Sequence, residues 1–292
     1  MMGSAWIKWA RAMEHQKVLA RATREFRTVD SYEYVRTDNN GDRDDPLVRV
    51  QWQLQVKEPY PERWSVLMGD VLTNLRAALD HAFWRVVIQH SGLPAQPHRI
   101  TFPIASTEQR FKAPKKELAP LVSSEVWEVI EALQPFHGGD LAHTAPLEVL
   151  RWLSNVDKHR AVHIVGRTSV DMGPTIVSSS TPLNVLEDWR LDGVAEDGAI
   201  VARLTLKRPR VGQSIDLQPT FAHIESVQIC DEPEPEFRSL SSAMQVMSDR
   251  VLYVLVALSD RLGISTPDPH GLYLGEEHDE AACPRCRHRD HH

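Results

Sequence analysis

Apolar residues recur at helical spacing along residues 69–87, GDVLTNLRAALDHAFWRVV. At 100° per residue, one broad face of this predicted helix is wholly apolar. Its members are Val71, Leu72, Leu75, Ala78, Leu79, Ala82, Phe83 and Val86. A second stripe combines the polar residues Asp70, Asn74 and His81 with Trp84 and Ile88. Because such large apolar side chains are unusual on a solvent-facing stripe, we expect Asp70, Asn74 and His81 to be at least partly buried.

A second predicted helix, over residues 146–158, also ends in a polar stretch, LSNVDKHR. Its polar residues are Asn155, Asp157, Lys158, His159 and Arg160. Asn155 and His159 share one stripe, whereas Asp157 and Lys158 are rotated from Asn155 by about 200° and 300°. We therefore expect Asp157 and Lys158 at the edge of a site, with Lys158 and Arg160 bonding the last helical carbonyls. The two helices have comparable polar densities, so we expect them to face each other across one site.

Other segments alternate with the period of a strand. Residues 48–56 place Val, Val, Trp, Leu and Val at every second position, and SYEYVRT precedes them. This pattern predicts a hairpin over residues 31–57. Helical spacing marks residues 4–27 and 123–133. Residues 1–160 are therefore predicted to form a helical bundle domain that carries the hairpin as an insertion.

Strand composition dominates the chain after residue 160. Residues 163–170, 175–179, 189–194, 199–207 and 214–229 predict one antiparallel sheet of four or five strands. Glu196-Asp197-Gly198 predicts a hairpin turn within it. We expect this sheet region to cover residues 161–232, a helix over 236–263 to return to the bundle, and 264–292 to form a tail. The order of elements predicts an α+β fold.

Composition and charge narrow the class of protein. The chain has 292 residues, 42% hydrophobic and 25% charged, as in ordinary soluble globular proteins. Its net charge of -7 argues against a broadly basic nucleic-acid surface. No apolar run approaches the ~18 residues of a membrane span, and the N-terminus has no signal-peptide apolar region. We therefore expect a cytoplasmic protein without a membrane partner, and the sequence is compatible with a homodimer.

The end of the chain offers candidate zinc ligands. Cys283 and Cys286 have the C-x2-C spacing of a zinc knuckle, and His288 and His291 follow them. Only one knuckle is present, so the alternative is an exposed tail with free thiols. Three cysteines in total do not make a disulfide framework.

Two resemblances rest on short motifs in these polar stretches. The spacing Arg76-x4-His81 resembles the Arg-x4–6-His pattern of HEPN domains, many of which are metal-independent ribonucleases built on a helical bundle. HEPN nucleases usually place a polar residue directly after the Arg, whereas Ala77 stands here. NLRAALDH, FPI and NVDKHR together resemble a group of uncharacterised bacterial proteins with LRxALDH and NxDKHR motifs, and that group implies no activity.

The HEPN resemblance implies RNA cleavage, with RNA or a regulatory protein as partner. His81 and His159 could act as base and acid, because histidines titrate near neutrality, and Arg76 could hold the phosphate. Further candidates for binding phosphate or orienting the histidines are Asp70, Asn74, Asp80, Asn155, Asp157, Lys158 and Arg160.

Two other roles fit the same residues. A metal-dependent hydrolase could ligate its metal through Asp70, His81, Asp157 and His159 as mixed oxygen and nitrogen donors. A binding or structural protein could use the polar residues as a satisfied network that fixes the packing of the two helices. We favour the binding or structural role, and the ribonuclease and the hydrolase stay open as alternatives.

Overall fold

The computed structural model describes residues 2–169, 176–179, 182–210, 215–217, 221–268 and 272. Its helices are α1 (Gly3–Arg27), α2 (Arg63–Ser91), α3 (Glu108–Leu118), α4 (Ser124–Ala132), α5 (Pro146–His159) and α6 (Leu240–Arg261). Its strands are β1 (Tyr32–Asp38), β2 (Leu47–Val56), β3 (Ile164–Ser169), β4 (Ile176–Ser179), β5 (Val185–Arg190), β6 (Gly193–Val194), β7 (Ile200–Lys207), β8 (Ile215–Leu217), β9 (Ala222–Cys230) and β10 (Glu236–Ser239). This α+β architecture confirms the predicted class. Among the described helices, none combines the length and hydropathy needed to cross a membrane.

The chain divides into two units that differ from the expected segments. The first contains Met1–Val18, Met68–Asn155 and Gln245–His292, and the second contains Leu19–Leu67 and Val156–Met244. The hairpin that we expected as an insertion in the helical domain therefore groups with the later strands.

The first unit is built on the helical faces that the sequence predicts. All eight residues of the apolar face of α2 are buried, and Asp70 and His81 on the second stripe are half-buried, with Asn74 buried. On α1, Trp9 donates its indole N–H to the Ser248 carbonyl on α6 at 3.1 Å. This contact brings the last helix onto the helical unit, as predicted.

The segment around Phe102 packs on α2. The Phe102 ring meets the Phe83 ring edge-on, with 6.3 Å between the centroids. Farther along, Ser123 caps α4 by accepting the Val126 N–H, which confirms the predicted helix start. The apolar face of α4 then stacks Trp127 against Phe111 of α3 at 5.4 Å.

The second unit contains the hairpin in an antiparallel sheet with the strand order β1-β2-β7-β5. Along β2, buried Val48, Val50, Trp52 and Leu54 alternate with more exposed residues, as the sequence predicts. Val50 lies opposite Leu204 of β7, and both belong to one buried cluster. The hairpin thus pairs with a strand about 150 residues later in the sequence, and side chains of both strands form one buried cluster.

The prediction of one sheet after residue 160 is wrong, because these strands separate into several sheets. A second four-stranded sheet has the order β10-β9-β3-β6, and β4 pairs with β8. The strand predicted over 189–194 is two strands, since β5 pairs with β7 while β6 pairs with β3. Gly198 has a φ of +81°, so the turn exists, but it links strands of different sheets instead of closing a hairpin.

Candidate functional site

The second unit contains a cavity of about 400 Å³ beside the start of β3. Its lining comes from Phe26 near the end of α1, the start of β1, the end of β2, the loop before α2 and the first turn of α2, the start of β3, the residues around β6, and His223 on β9. The volume lies in the range of small-molecule sites. The cavity is therefore large enough for a small organic ligand.

Tyr60 and His223 form the polar centre of the cavity. The Tyr60 hydroxyl and His223 Nε2 are 2.8 Å apart, a hydrogen-bond distance. The Tyr32 ring stacks on the imidazole, with 4.4 Å between centroids and 30° between planes. On its other side Tyr60 stacks against Trp64 at 5.3 Å. Aromatic contacts therefore hold both partners of the hydrogen bond in place.

Burial sets the protonation state of this pair. Removal from water lowers the pKa of His223, an effect that the nearby Glu225 carboxylate partly opposes. The same removal raises the pKa of Tyr60, and Glu225 adds to that increase. Near neutral pH the cavity therefore presents a neutral imidazole and a neutral phenol.

One ring nitrogen of His223 has no hydrogen-bond partner among the described residues. Nδ1 is buried and makes no hydrogen bond to another described residue. In one tautomer this atom carries a proton, and in the other it carries a lone pair. Leaving either form unpaired costs about 1–3 kcal/mol.

Gly166 on β3 allows this close packing. A Cβ atom at Gly166 would come within 3.0 Å of the Tyr60 hydroxyl and closer still to the His223 ring. Gly166 pairs with Glu225 in the sheet, so its backbone is fixed beside the strand that carries His223. Any side chain at this position would displace the imidazole.

Glu225 and Arg27 form an ion pair next to the cavity residues. His223 and Glu225 are two residues apart on β9 and point to the same face. The Glu225 side chain is only 5% exposed. Arg27 Nε donates to the two Glu225 carboxylate oxygens at 2.9 and 3.1 Å, and Arg27 Nη2 also donates to this carboxylate. This hydrogen bonding raises the pKa of Arg27. The buried carboxylate is therefore compensated by a cation.

In the first unit, Arg76 and Asp80 hold the Phe102 segment. Arg76 Nη2 donates to Asp80 Oδ1 at 2.8 Å and to the Phe102 carbonyl at 2.7 Å. Asp80 Oδ1 also accepts the Phe102 backbone N–H at 2.8 Å. We call these three residues the Phe102 clamp. Both backbone groups of Phe102 are satisfied by one ion pair, which connects the NLRAALDH and FPI motifs in space.

Residues of α1 approach the other polar positions of α2. Lys8 Nζ lies 3.4 Å from Asn74 Oδ1, and the Asn74 amide donates to the Asp70 carbonyl at 2.8 Å. His15 Nδ1 lies 3.7 Å from Asp70 Oδ2. The polar stripe of α2 thus meets Lys8 and His15 of α1.

The end of α5 is mostly solvent-facing. Asn155, Lys158, His159 and Arg160 are exposed, and Asp157 is half-buried. Arg160 donates its backbone N–H to the Val156 carbonyl at 2.8 Å. His81 belongs to the first unit and His159 to the second, so their assignment to one site stays a prediction. The zinc candidates Cys283, Cys286, His288 and His291 lie outside the described residues.

No protein-family model, curated protein or solved structure matches the chain significantly. The resemblances to HEPN domains and to the LRxALDH group stay predictions.

Sequence patterns did not reveal the cavity. Tyr60 and His223 are 163 positions apart and belong to no common motif. Two local signals were available: Tyr60 stands between two prolines, and His223 and Glu225 interrupt an apolar strand. Neither signal indicates that Tyr60 and His223 are partners, because a hydrogen bond between distant segments has no characteristic spacing in the sequence.

Proposed function

We propose that this chain is a binding protein and that the cavity around Tyr60 and His223 takes a small organic molecule. The cavity of about 400 Å³, in which aromatic contacts hold the Tyr60–His223 hydrogen bond, carries the proposal. Ligand sites in proteins combine mostly apolar walls with a few polar groups, and this cavity has that composition.

Within this proposal, the Phe102 clamp has a structural role. The Arg76 guanidinium is engaged by a carboxylate and a carbonyl, so a phosphate would have to compete for it. This geometry favours a satisfied network over the HEPN-like ribonuclease. The metal-dependent hydrolase, the RNA or protein partner and the homodimer stay predictions.

Ligand-observed NMR with a fragment library tests the proposed site in the full chain. We expect aromatic fragments to bind the wild type and to lose their signals with Gly166→Ala, because the new Cβ displaces the His223 ring. Tyr60→Phe keeps the ring and removes the hydroxyl, so it should weaken polar fragments selectively.

Gly41→Ala is the matched control, since a Cβ at Gly41 meets nothing within 4 Å. Circular dichroism of each variant checks that the fold is kept. A library without any binding fragment, or one whose fragments bind Gly166→Ala and wild type equally, would contradict the proposed site.

A further inference from the structure

Among the described Asp, Glu, Lys and Arg side chains that line the cavity, all are acidic. Four carboxylate side chains line it: Glu58, Glu62, Glu196 and Asp197. Among the described residues that line the cavity there is no Lys or Arg. Acidic groups at the mouth of a cleft attract cations and repel anions. The entrance therefore favours cationic ligands over anionic ones.

Two cations that neighbour lining residues in the sequence, Lys57 and Arg27, are engaged elsewhere. Lys57 forms ion pairs with Asp30 and Glu33, which raise its pKa. Arg27 is bound to the buried Glu225. The described cavity lining therefore contains no Lys or Arg side chain that could pair with its carboxylates.

The walls of the cavity suit a cation with an apolar body. Phe26, Tyr32 and Tyr60 contribute aromatic rings, and Phe26 and Tyr60 lie 5.5 Å apart. Aromatic faces attract ammonium groups electrostatically and pack against hydrocarbon. The carboxylates at the rim then supply the negative charge opposite the cation.

We propose that the cavity binds a small organic cation, a protonated amine or quaternary ammonium with an aryl or branched alkyl body. This inference rests on the proposed function and specifies its ligand class. The volume limits the ligand to a small molecule. The rim carboxylates hold the charged end, and the aromatic rings contact the body.

Calorimetry with three probes of one shape tests the charge: phenethylamine, 2-phenylethanol and 3-phenylpropionate. The amine should bind the full chain at least about tenfold tighter than the alcohol, a factor that matches about 1.4 kcal/mol. The propionate should bind most weakly. Raising the salt from about 0.01 to 0.5 M should weaken the amine and leave the alcohol unchanged.

Charge-neutral variants locate the effect. Glu196→Gln and Asp197→Asn should each weaken the amine several-fold while leaving the alcohol unchanged. Asn keeps an oxygen for the Val56 N–H, which Asp197 accepts at 2.8 Å. Glu128→Gln, on the exposed surface of α4, is the control and should change neither probe.

The possible failures are distinguishable. Equal or tighter binding of the alcohol or the propionate, blocked by Gly166→Ala, would overturn the cation inference and leave the proposed binding site standing. If neither these probes nor any library fragment binds, the proposed function falls together with the inference.

Discussion

Removing the Asp80 carboxylate should destabilise the protein by about 2–3 kcal/mol. In Asp80→Ala, the Phe102 N–H loses its acceptor, and Phe102 is only 1% exposed. An unpaired buried N–H costs about 1–3 kcal/mol. The Arg76 and Asp80 side chains are 22% and 27% exposed, so water replaces part of their ion pair and its loss adds only about 0.5–1 kcal/mol. Ala gains about 0.5 kcal/mol of helix propensity in return.

Arg76→Met should cost less, about 1–2 kcal/mol. It leaves the bond between Asp80 and the Phe102 N–H intact and removes the donor to the Phe102 carbonyl. The two substitutions share partners, so the double variant should deviate from additivity by about 1 kcal/mol. Arg11→Met is the matched control, because Arg11 pairs with Glu14 on an exposed helix face and its loss should cost under about 0.5 kcal/mol.

Urea unfolding of the wild type and the four variants, followed by the far-ultraviolet helical signal, measures these differences. Incubation of each with mixed RNA in EDTA separates the structural role from the ribonuclease alternative. An Asp80→Ala variant within about 0.5 kcal/mol of the wild type would refute the clamp. RNA cleavage that Arg76→Met abolishes at unchanged stability would favour the HEPN-like reading instead.

Three further predictions concern other groups. Burial lowers the pKa of His223 below about 6.5, so the stability that depends on a neutral His223 is complete above that pH and is lost as the pH falls toward the folded-state pKa. Between about pH 7.5 and 5 the melting temperature should fall more steeply for the wild type than for His223→Gln, and equal slopes would contradict this. In urea unfolding, Arg27→Met should lower the free energy of unfolding by about 1–3 kcal/mol, less than the loss of a fully buried pair because Arg27 is 51% exposed. Adding Glu225→Gln should recover part of this loss, and an Arg27→Met variant as stable as the wild type would be inconsistent with a compensated charge. The tail should bind zinc only if four ligands are available, from one chain or shared between two; metal analysis of untagged protein decides, because about one zinc per one or two chains, removed by Cys283→Ser with Cys286→Ser, would support the zinc site, and a lower content would leave the tail with free thiols.

The sequence determines features that depend on residues close together along the chain, whereas the tertiary structure determines those that depend on distant residues. The apolar face of α2, the Ser123 cap and the alternation along β2 all depend on residues a few positions apart, so spacing alone predicted them correctly. Partial burial of Asp70 and His81 was predicted in the same way, from the large apolar residues Trp84 and Ile88 on the same stripe. These features repeat a local geometry that the order of residues already contains.

Tertiary structure alone decided which strands pair and where the cavity lies. Backbone hydrogen bonds are the same for every residue type, so β2 could not indicate that its neighbour would be β7. The Phe102 clamp, the approach of Gly166 to His223 and the Tyr60–His223 bond join distant segments whose separation carries no period. Sequence therefore determined which faces of the elements are apolar, while long-range pairing determined which polar groups share a site.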